Sequence, residues 1–301
     1  MQFIQRPTID CTKWDNLVLQ TSKSTIYSQS FFLDSVSENW CLYVNDEYTK
    51  GIVVPFTYKL NNKLVYTPNF IRYLEFLGDF SEVEIEGFIT ALKKEFKSGQ
   101  LAINYVFNHK TEKSLFQAID IDSAGKYNKL ANRMLKRFDN SSLCFSENPD
   151  FNSILNLVQS ELSVRIKNLT KKDFEKFHVL LNQLKSNNQL FYYGIVDSSN
   201  NLVAGAFFSQ FQGRITYIKG ASLKEFMNDG TMYALLDKGI HHAKQNNYLF
   251  DFGGSNIPGI SQFFSNLSGE NREYAIIKWG KEPLYYTFIK SLYHILKKIT
   301  K

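Results

Sequence analysis

The sequence is poor in the residues that form disulfides, bind metals or cross membranes. It has three cysteines, Cys11, Cys41 and Cys144, which are scattered and form no CxxC pair, and five dispersed histidines. Free thiols in odd number are typical of a reducing compartment, and this spacing predicts neither a disulfide framework nor a metal centre. With no long apolar run and no apolar core near the N-terminus, we expect a cytoplasmic protein without a membrane span.

The composition indicates an ordered globular protein. Hydrophobic residues make up 44% of the 301 positions and charged residues 21%, an ordinary balance for a folded chain. The 26 phenylalanines and 17 tyrosines are expected to pack as a core rather than to form a base-stacking surface. A net charge of +6 is compatible with an anionic ligand but does not require one, and no pattern predicts DNA binding.

An internal repeat organises the chain. The segment 40–68 aligns without a gap to positions 191–219, and three pairs are identical: Asp46 with Asp197, Phe56 with Phe207 and Tyr66 with Tyr217. Both copies have the pattern of a strand, a polar turn, a strand rich in small residues, a turn and a strand, which is typical of an antiparallel meander. This shared order predicts a duplicated unit.

In each half the meander is followed by a helix, a short apolar strand, another helix and a final strand. The predicted bounds are 82–96, 101–105, 127–138 and 143–145 in the first half, and 231–245, 248–252, 258–267 and 274–277 in the second. A helix at 174–184 opens the second half. This plan predicts an α+β fold of two units, residues 1–147 and 148–301, with a C-terminal helix at 284–300 that packs back on the body.

The segment 249–264 carries the clearest functional signal. A buried strand ends there in Gly253 and Gly254, a polar pair follows, and Pro258 opens a helix. Such a junction brings backbone amides and a helix N-terminus to one point, where a carbonyl, carboxylate or phosphate can be held.

This junction and the surrounding sequence from Leu190 to Trp279 resemble the second half of the tandem acyltransferases of the GNAT superfamily. That group includes the Fem-type aminoacyl-tRNA transferases. Weaker landmarks, Asn39-Trp40 and Val54-Pro55, extend the resemblance into the first half. The resemblance implies an α+β fold of two tandem GNAT-like domains, each a mixed, mostly antiparallel sheet flanked by helices. It also implies a degenerate first domain and an active cleft in the second.

The resemblance further implies where an acyl-CoA would bind. Two central strands, here 214–221 and 248–252, part from each other, and a bulge on one exposes backbone amides to the acyl group. The loop that cradles the CoA diphosphate corresponds to 227–232. The implied cofactor-binding residues are Asn228, Gly230 and Thr231 of this loop and Gly220 of the parted strand. One glycine of that pattern is present, Asp229 would repel phosphate, and capping of the following helix by Asn228, Asp229 or Thr231 is the alternative.

Three side chains are candidate catalytic residues: Asp251, Lys219 and Tyr274. An Asp251 that faces the cleft would have a raised pKa and accept the proton of an amine, whereas one that faces the core would need a hydrogen-bonded partner. Lys219 would neutralise a carboxylate or phosphate, or else end its strand in solvent. Tyr274 would donate a proton from the last strand, or lie half-buried there.

The candidate substrate-binding residues are Ser255, Asn256, Arg133 and Lys136. The first two would orient a carbonyl or cap the following helix, and the basic pair lies on a helix that would contact an anionic substrate or form a solvated face. Phe264 occupies the position at which Fem-type enzymes carry a lysine for the aminoacyl-tRNA end. That departure argues against Fem-like transfer.

These observations predict a tandem GNAT-like N-acyltransferase. It would move an acyl group from acyl-CoA, acetyl-CoA first among them, to the amine of a small molecule or peptide. Two alternatives stay open. One is an aminoacyl-tRNA-dependent, Fem-like transferase that acts on a cell-wall precursor, with tRNA as its partner, and the other is a GNAT-shaped binding or scaffold protein without catalysis.

Overall fold

A computed structural model describes residues 1–59, 62–107, 111–120, 126–165, 170–254 and 257–280. The predicted C-terminal helix 284–300 lies outside these residues. Twelve strands of the described chain form one sheet, which is mostly antiparallel and flanked by helices. The expected α+β plan, a mostly antiparallel sheet flanked by helices, is thereby confirmed.

The strands of the first half are β1 (Gln2–Gln5), β2 (Asn39–Val44), β3 (Gly51–Lys59), β4 (Asn62–Val65), β5 (Ser98–Ile103), β6 (Glu112–Ile119) and β7 (Cys144–Phe145). Those of the second half are β8 (Leu190–Val196), β9 (Leu202–Phe211), β10 (Arg214–Ser222), β11 (Leu249–Asp251) and β12 (Glu270–Trp279). The helices are α1 (Cys11–Gln20), α2 (Ser30–Val36), α3 (Glu82–Glu95), α4 (Lys129–Asp139), α5 (Phe151–Arg165), α6 (Lys171–Ser186), α7 (Thr231–Gln245) and α8 (Pro258–Asn266).

The duplication is visible in the order of the strands across the sheet. That order is β1-β2-β3-β4-β5-β12-β6-β11-β10-β9-β8-β7, so each strand on one side has a counterpart at the mirrored place on the other. The meander β2-β3-β4 corresponds to β8-β9-β10, as the repeat in the sequence predicts.

The two halves exchange one strand each at the centre of the sheet. Strand β12, from the second half, pairs antiparallel with β5 and with β6 of the first half. Strand β6 in turn pairs with β11 of the second half. Because both partners of β12 lie more than a hundred residues upstream, the central ladder joins the halves into one sheet.

In the first half, the segment 71–77, which follows β4 in the chain, fills the gap that opens between β4 and β5. Strands β4 and β5 pair in parallel at two positions and then separate. The segment 71–77 lies along β5 beyond that point, where the Leu74 amide donates to the Ala102 carbonyl at 2.9 Å and the Asn104 amide donates to the Leu74 carbonyl at 2.8 Å. This segment brings Arg72 towards the second half.

The interior is dominated by rings, as the composition predicts. In the second half Phe208, Phe250 and Phe252 are fully buried, and α7 covers this face of the sheet with Leu235 and Leu236. Burial of aromatic side chains is the largest single source of apolar area in such a core. Within the described residues, no helix has both the length and the apolar character needed to cross a bilayer.

The exchanged strands lead to a prediction about separated halves. A fragment 1–147 leaves the apolar edges of β5 and β6 without β12, and a fragment 148–301 leaves β11 without β6, so both present open sheet edges. We expect neither fragment alone to show a cooperative thermal transition by circular dichroism, and a 1:1 mixture to recover one. A fragment that unfolds cooperatively at the temperature of the intact chain would contradict the exchange.

Candidate functional site

The site is built where two neighbouring strands separate. Strands β10 and β11 pair in parallel over three positions, and the ladder ends at the pair Thr216–Asp251. On its other edge β10 is shifted by a bulge between Tyr217 and Lys219 in its pairing with β9. The expected parting of these strands, with a bulge on one of them, is confirmed.

Two cavities lie at this gap and share four lining residues. The large cavity, of about 480 Å³, lies between β10, α7 and α8, and its lining includes Met227, Met232, Phe263 and Phe264. The small cavity, of about 290 Å³, lies on the first-half side, and its lining includes Tyr27, Asn69 and Arg72. Tyr217, Ile218, Lys219 and Gly253 line both cavities, and we call these four residues the throat.

Asp251 anchors the throat through two arginines. Its side chain is completely buried, and it forms salt bridges with Arg72 (Nη1 to Oδ1, 2.8 Å) and with Arg214 (Nη1 to Oδ2, 2.8 Å). It also accepts a hydrogen bond from the Gly253 amide at 2.9 Å. Of the two orientations considered from the sequence, the structure therefore has the inward one, with partners.

Arg72 extends this anchor to the chain that follows β11. Its Nε donates to the Gly253 carbonyl at 2.6 Å and its Nη2 donates to the Tyr27 hydroxyl at 3.2 Å. The guanidinium also lies over the Phe116 ring, 5.0 Å from the centroid, and it is 6% exposed. One side chain of the first half thus holds the backbone of the second half in place.

Gly253 of the throat and its neighbour Gly254 are required by close contacts and by their backbone conformation. Gly253 and Gly254 have φ values of +81° and +67°, a region that favours glycine. A Cβ on Gly253 would lie 2.9 Å from the Tyr217 carbonyl oxygen, and one on Gly254 would lie 2.7 Å from the Phe116 Cβ. A larger side chain at either position would clash with these atoms and displace them.

The pKa values of Asp251 and Lys219 are both lowered, but for different reasons. Burial alone would raise the pKa of Asp251, but the Arg72 and Arg214 guanidinium groups outweigh it and hold that pKa below its usual range. Burial lowers the pKa of Lys219, and the nearby Arg72 guanidinium adds to this effect. Among the described residues, none forms a salt bridge or hydrogen bond with the Lys219 ammonium.

Tyr27 and Glu75 are two further buried polar side chains near the Arg72–Asp251 pair. Burial raises the pKa of Tyr27 to about 12, and burial also raises the pKa of Glu75. The Glu75 Oε1 accepts hydrogen bonds from the Thr25 amide at 2.5 Å and from the Thr25 hydroxyl at 2.7 Å. The buried carboxyl groups of Asp251 and Glu75 thus each have hydrogen-bonded partners within the protein.

A strained residue lies in the wall of the small cavity. Phe70 has a φ of +74°, a conformation that bulky residues rarely adopt. Its ring stacks on Phe177 with 5.0 Å between centroids, which holds the segment in place. Strain of this kind clusters at ligand sites.

The implied CoA-diphosphate loop is packed against α4. A Cβ on Gly230 would lie 2.1 Å from the Met134 carbonyl oxygen of α4, and Asp229 pairs with Arg137 of α4 at 3.3 Å. The Thr231 hydroxyl donates to the Ser222 hydroxyl at 2.8 Å. Asn228, Gly230 and Thr231 are absent from the described lining of the large cavity, whereas Gly220 is part of it.

The remaining candidates from the sequence are dispersed. Tyr274 packs against Tyr73 and Phe116 in a separate aromatic cluster, and it is absent from the described lining of both cavities. Arg133 and Lys136 are exposed on α4. Ser255 and Asn256 lie outside the described residues. In the part of the chain that is described, no group of three His, Cys, Asp or Glu residues is placed to hold a metal ion.

The sequence gives a weak signal for the two arginines. Arg72 and Glu75 interrupt an otherwise apolar and aromatic run, Phe70 to Leu77, and charges inside such a run are expected to be paired. Arg214 opens a strand at the place that Lys63 takes in the first repeat. Neither pattern identifies Asp251 as the partner.

No protein-family model matches the sequence, and no curated protein matches it. Similarity appears in solved structures. The chain is similar to FemX, with a TM-score of 0.66 and 11% sequence identity over 91% of this chain and 96% of that one. It is similar to L-PGS from Bacillus licheniformis, with a TM-score of 0.56 and 16% identity over 93% of this chain and 95% of that one. It is also similar to a tandem GNAT protein from the clavulanic acid biosynthesis pathway, with a TM-score of 0.50 and 10% identity over 94% of this chain and 99% of that one. The chain thus has the tandem GNAT-like, Fem-related fold that the sequence resemblance implies.

The anchor leads to a prediction about stability. Arg72→Met leaves the Gly253 carbonyl without this donor and Asp251 with one arginine, so we expect the free energy of unfolding in urea to fall by about 3–5 kcal/mol. Arg6→Met is the matched control, because Arg6 makes two hydrogen bonds to Asp34, as Arg72 does to Asp251, but the side chains of Arg6 and Asp34 are 38% and 44% exposed. There we expect a loss of less than about 1 kcal/mol. Equal losses in the two variants would contradict the anchoring role.

Proposed function

We propose that the protein is an N-acyltransferase that works at the throat. The acyl group lies in the large cavity, the amine enters through the small cavity, and the two meet beside Lys219 and Gly253. The observation that supports this most is that both cavities share the four throat residues at the point where β10 and β11 part. A transferase needs such a place, where two substrates approach each other from separate sides.

Backbone groups activate the acyl carbonyl in this proposal. From Tyr217 onward β10 has left its ladder with β11, so amides along this edge are available to a ligand. Preformed N–H donors stabilise the oxyanion of a tetrahedral intermediate because they need no reorganisation during the reaction. The Arg72–Gly253 hydrogen bond at 2.6 Å keeps the opposite wall at a fixed distance.

Lys219 accepts the proton of the amine. The described residues that line the two cavities include no Asp, Glu or His, and burial lowers the pKa of Lys219 towards the range of a general base. The nitrogen forms its bond to the carbonyl carbon, the bond from that carbon to the carrier breaks, and the proton passes by way of Lys219 to the leaving oxygen or sulfur. Asp251, expected as the base, serves instead as the anchor of Arg72.

Two carriers of the acyl group fit this scheme. Acyl-CoA is the donor that the resemblance implies, and it is our first candidate. Aminoacyl-tRNA is the second, and one observation favours it: the Asp229–Arg137 pair and α4 stand where a CoA diphosphate would need donors. Under either carrier, the acceptor is an amine of a small molecule or peptide.

Removal of the Lys219 amine tests the proton step. We expect Lys219→Met to lower kcat/KM by about 10²–10⁴-fold, and Lys219→Arg not to restore it, because a guanidinium does not lose its proton. Since the base must be neutral and its pKa is lowered, the wild-type rate rises with pH around a midpoint below the ordinary lysine value of 10.5. Lys113→Met, in an exposed pair with Glu273, is the control. Full activity in Lys219→Met would contradict this role.

The carrier is identified by direct transfer assays. Radiolabelled acyl-CoA and aminoacyl-tRNA are each offered with a panel of primary amines, and we expect an amide product from acyl-CoA. If the tRNA arm alone gives product, its rate is expected to fall steeply with added salt, and Arg133→Ala with Lys136→Ala is expected to flatten that dependence. Product from neither donor, with no binding of either, would refute the transferase proposal and favour a binding or scaffold role.

A further inference from the structure

The large cavity has a chemical character that the proposed transfer does not by itself explain. Apart from Lys219 at its throat, the described residues that line it carry apolar side chains, glycines or hydroxyl groups. Each of those hydroxyls is already engaged. Tyr217 donates to the Gly220 carbonyl, Ser222 donates to the Leu223 carbonyl, and the Tyr233 hydroxyl accepts from Asn266.

Two methionines belong to the loop 227–232, which by resemblance to GNAT proteins would hold the CoA diphosphate. Met227 and Met232 flank the turn at Gly230 and contribute their side chains to the cavity. A thioether offers neither a positive charge nor a strong hydrogen-bond donor, and it adapts to irregular apolar shapes. The wall that would meet a diphosphate is therefore suited to a chain of methylene groups.

The cavity is continuous with the reacting point and large enough for more than a two-carbon group. Its volume of about 480 Å³ lies within the roughly 300–1,000 Å³ of small-molecule sites. Its outer rim includes Ile257 and Ile260, which are 58% and 39% exposed. An acetyl group beside Lys219 would leave most of this apolar wall in contact with water.

We infer that the large cavity selects an extended apolar acyl chain, with its carbonyl at Lys219 and its tail between Met232, Phe263 and Ile260. This inference rests on the proposed function for the identity of the reacting group, but the binding of the chain does not. Burial of each methylene is favourable by an amount that corresponds to roughly a fourfold gain in affinity. Affinity therefore rises with chain length until the cavity is filled.

The test uses N-acetylcysteamine thioesters, which carry the acyl group without a nucleotide. Dissociation constants of the acetyl, butyryl, hexanoyl and octanoyl compounds are measured by isothermal titration with the full chain. We expect the affinity to increase by roughly fourfold per methylene over the first steps of the series. A flat series, or the tightest binding for the acetyl compound, would overturn the inference.

Two glycine variants locate the binding. Gly259 lines the large cavity, and a Cβ there would meet nothing within 4 Å, so Gly259→Leu is expected to fold and to fill part of the cavity. Gly87→Leu is the matched control, because Gly87 lies in α3, outside the described lining of both cavities, and its Cβ would also meet nothing within 4 Å. We expect Gly259→Leu to lower octanoyl affinity at least tenfold while Gly87→Leu leaves it unchanged. Equal octanoyl affinity in both variants would overturn the inference.

These outcomes separate the two proposals. Chain-length-dependent binding without any amide product supports the apolar site and contradicts the transferase. Transfer that proceeds equally well from acetyl and octanoyl donors supports the transferase and contradicts the apolar site.

Discussion

The buried contact between Arg72 and Asp251 is the interaction on which the site depends. It joins two residues that are 179 positions apart and lie in different halves of the chain. A charge pair so deeply buried is stabilising when its remaining donors and acceptors are also bonded, and here the Gly253 amide and carbonyl supply that bonding. The throat is consequently fixed by the packing of one half on the other.

This dependence gives the first half a function although its own gap is filled. The segment along β5 closes the space between β4 and β5 and at the same time carries Arg72 and Glu75. The exchange of β6 and β12 also supports the site, because its hydrogen-bonded ladders fix the position of one half relative to the other. In this account, the first copy of the repeat supports the candidate site and the second copy carries it.

Local patterns in the sequence predicted the elements that are decided locally. The bounds 231–245 agree with α7, because the apolar spacing is helical and Gly230 permits the backbone to turn with a φ of +81°. The strand predicted at 248–252, before Gly253 and Gly254, is observed as β11, Leu249–Asp251, and binding at the junction after it stays a prediction. Strand β6 was missed, because Glu112, Lys113 and Gln117 weaken its alternation and its partners lie far along the chain.

Long-range pairing explains the remaining differences. Nothing near Asp251 in the sequence shows that Arg72 and Arg214 neutralise it, so its environment was open until the fold placed all three together. The same holds for the large cavity, whose walls come from β10, α7 and α8. The apolar character of its methionines and phenylalanines has a meaning only after these elements are assembled.

The most direct test of the account is a crystal structure of the protein with an N-octanoyl amine, which is a product analogue that spans both cavities. The account predicts that its carbonyl oxygen lies within hydrogen-bond distance of a backbone amide at the throat, with the alkyl chain against Met232 and Phe263 and the nitrogen beside Lys219. A ligand bound away from the throat, or with its alkyl chain in the small cavity, would contradict it.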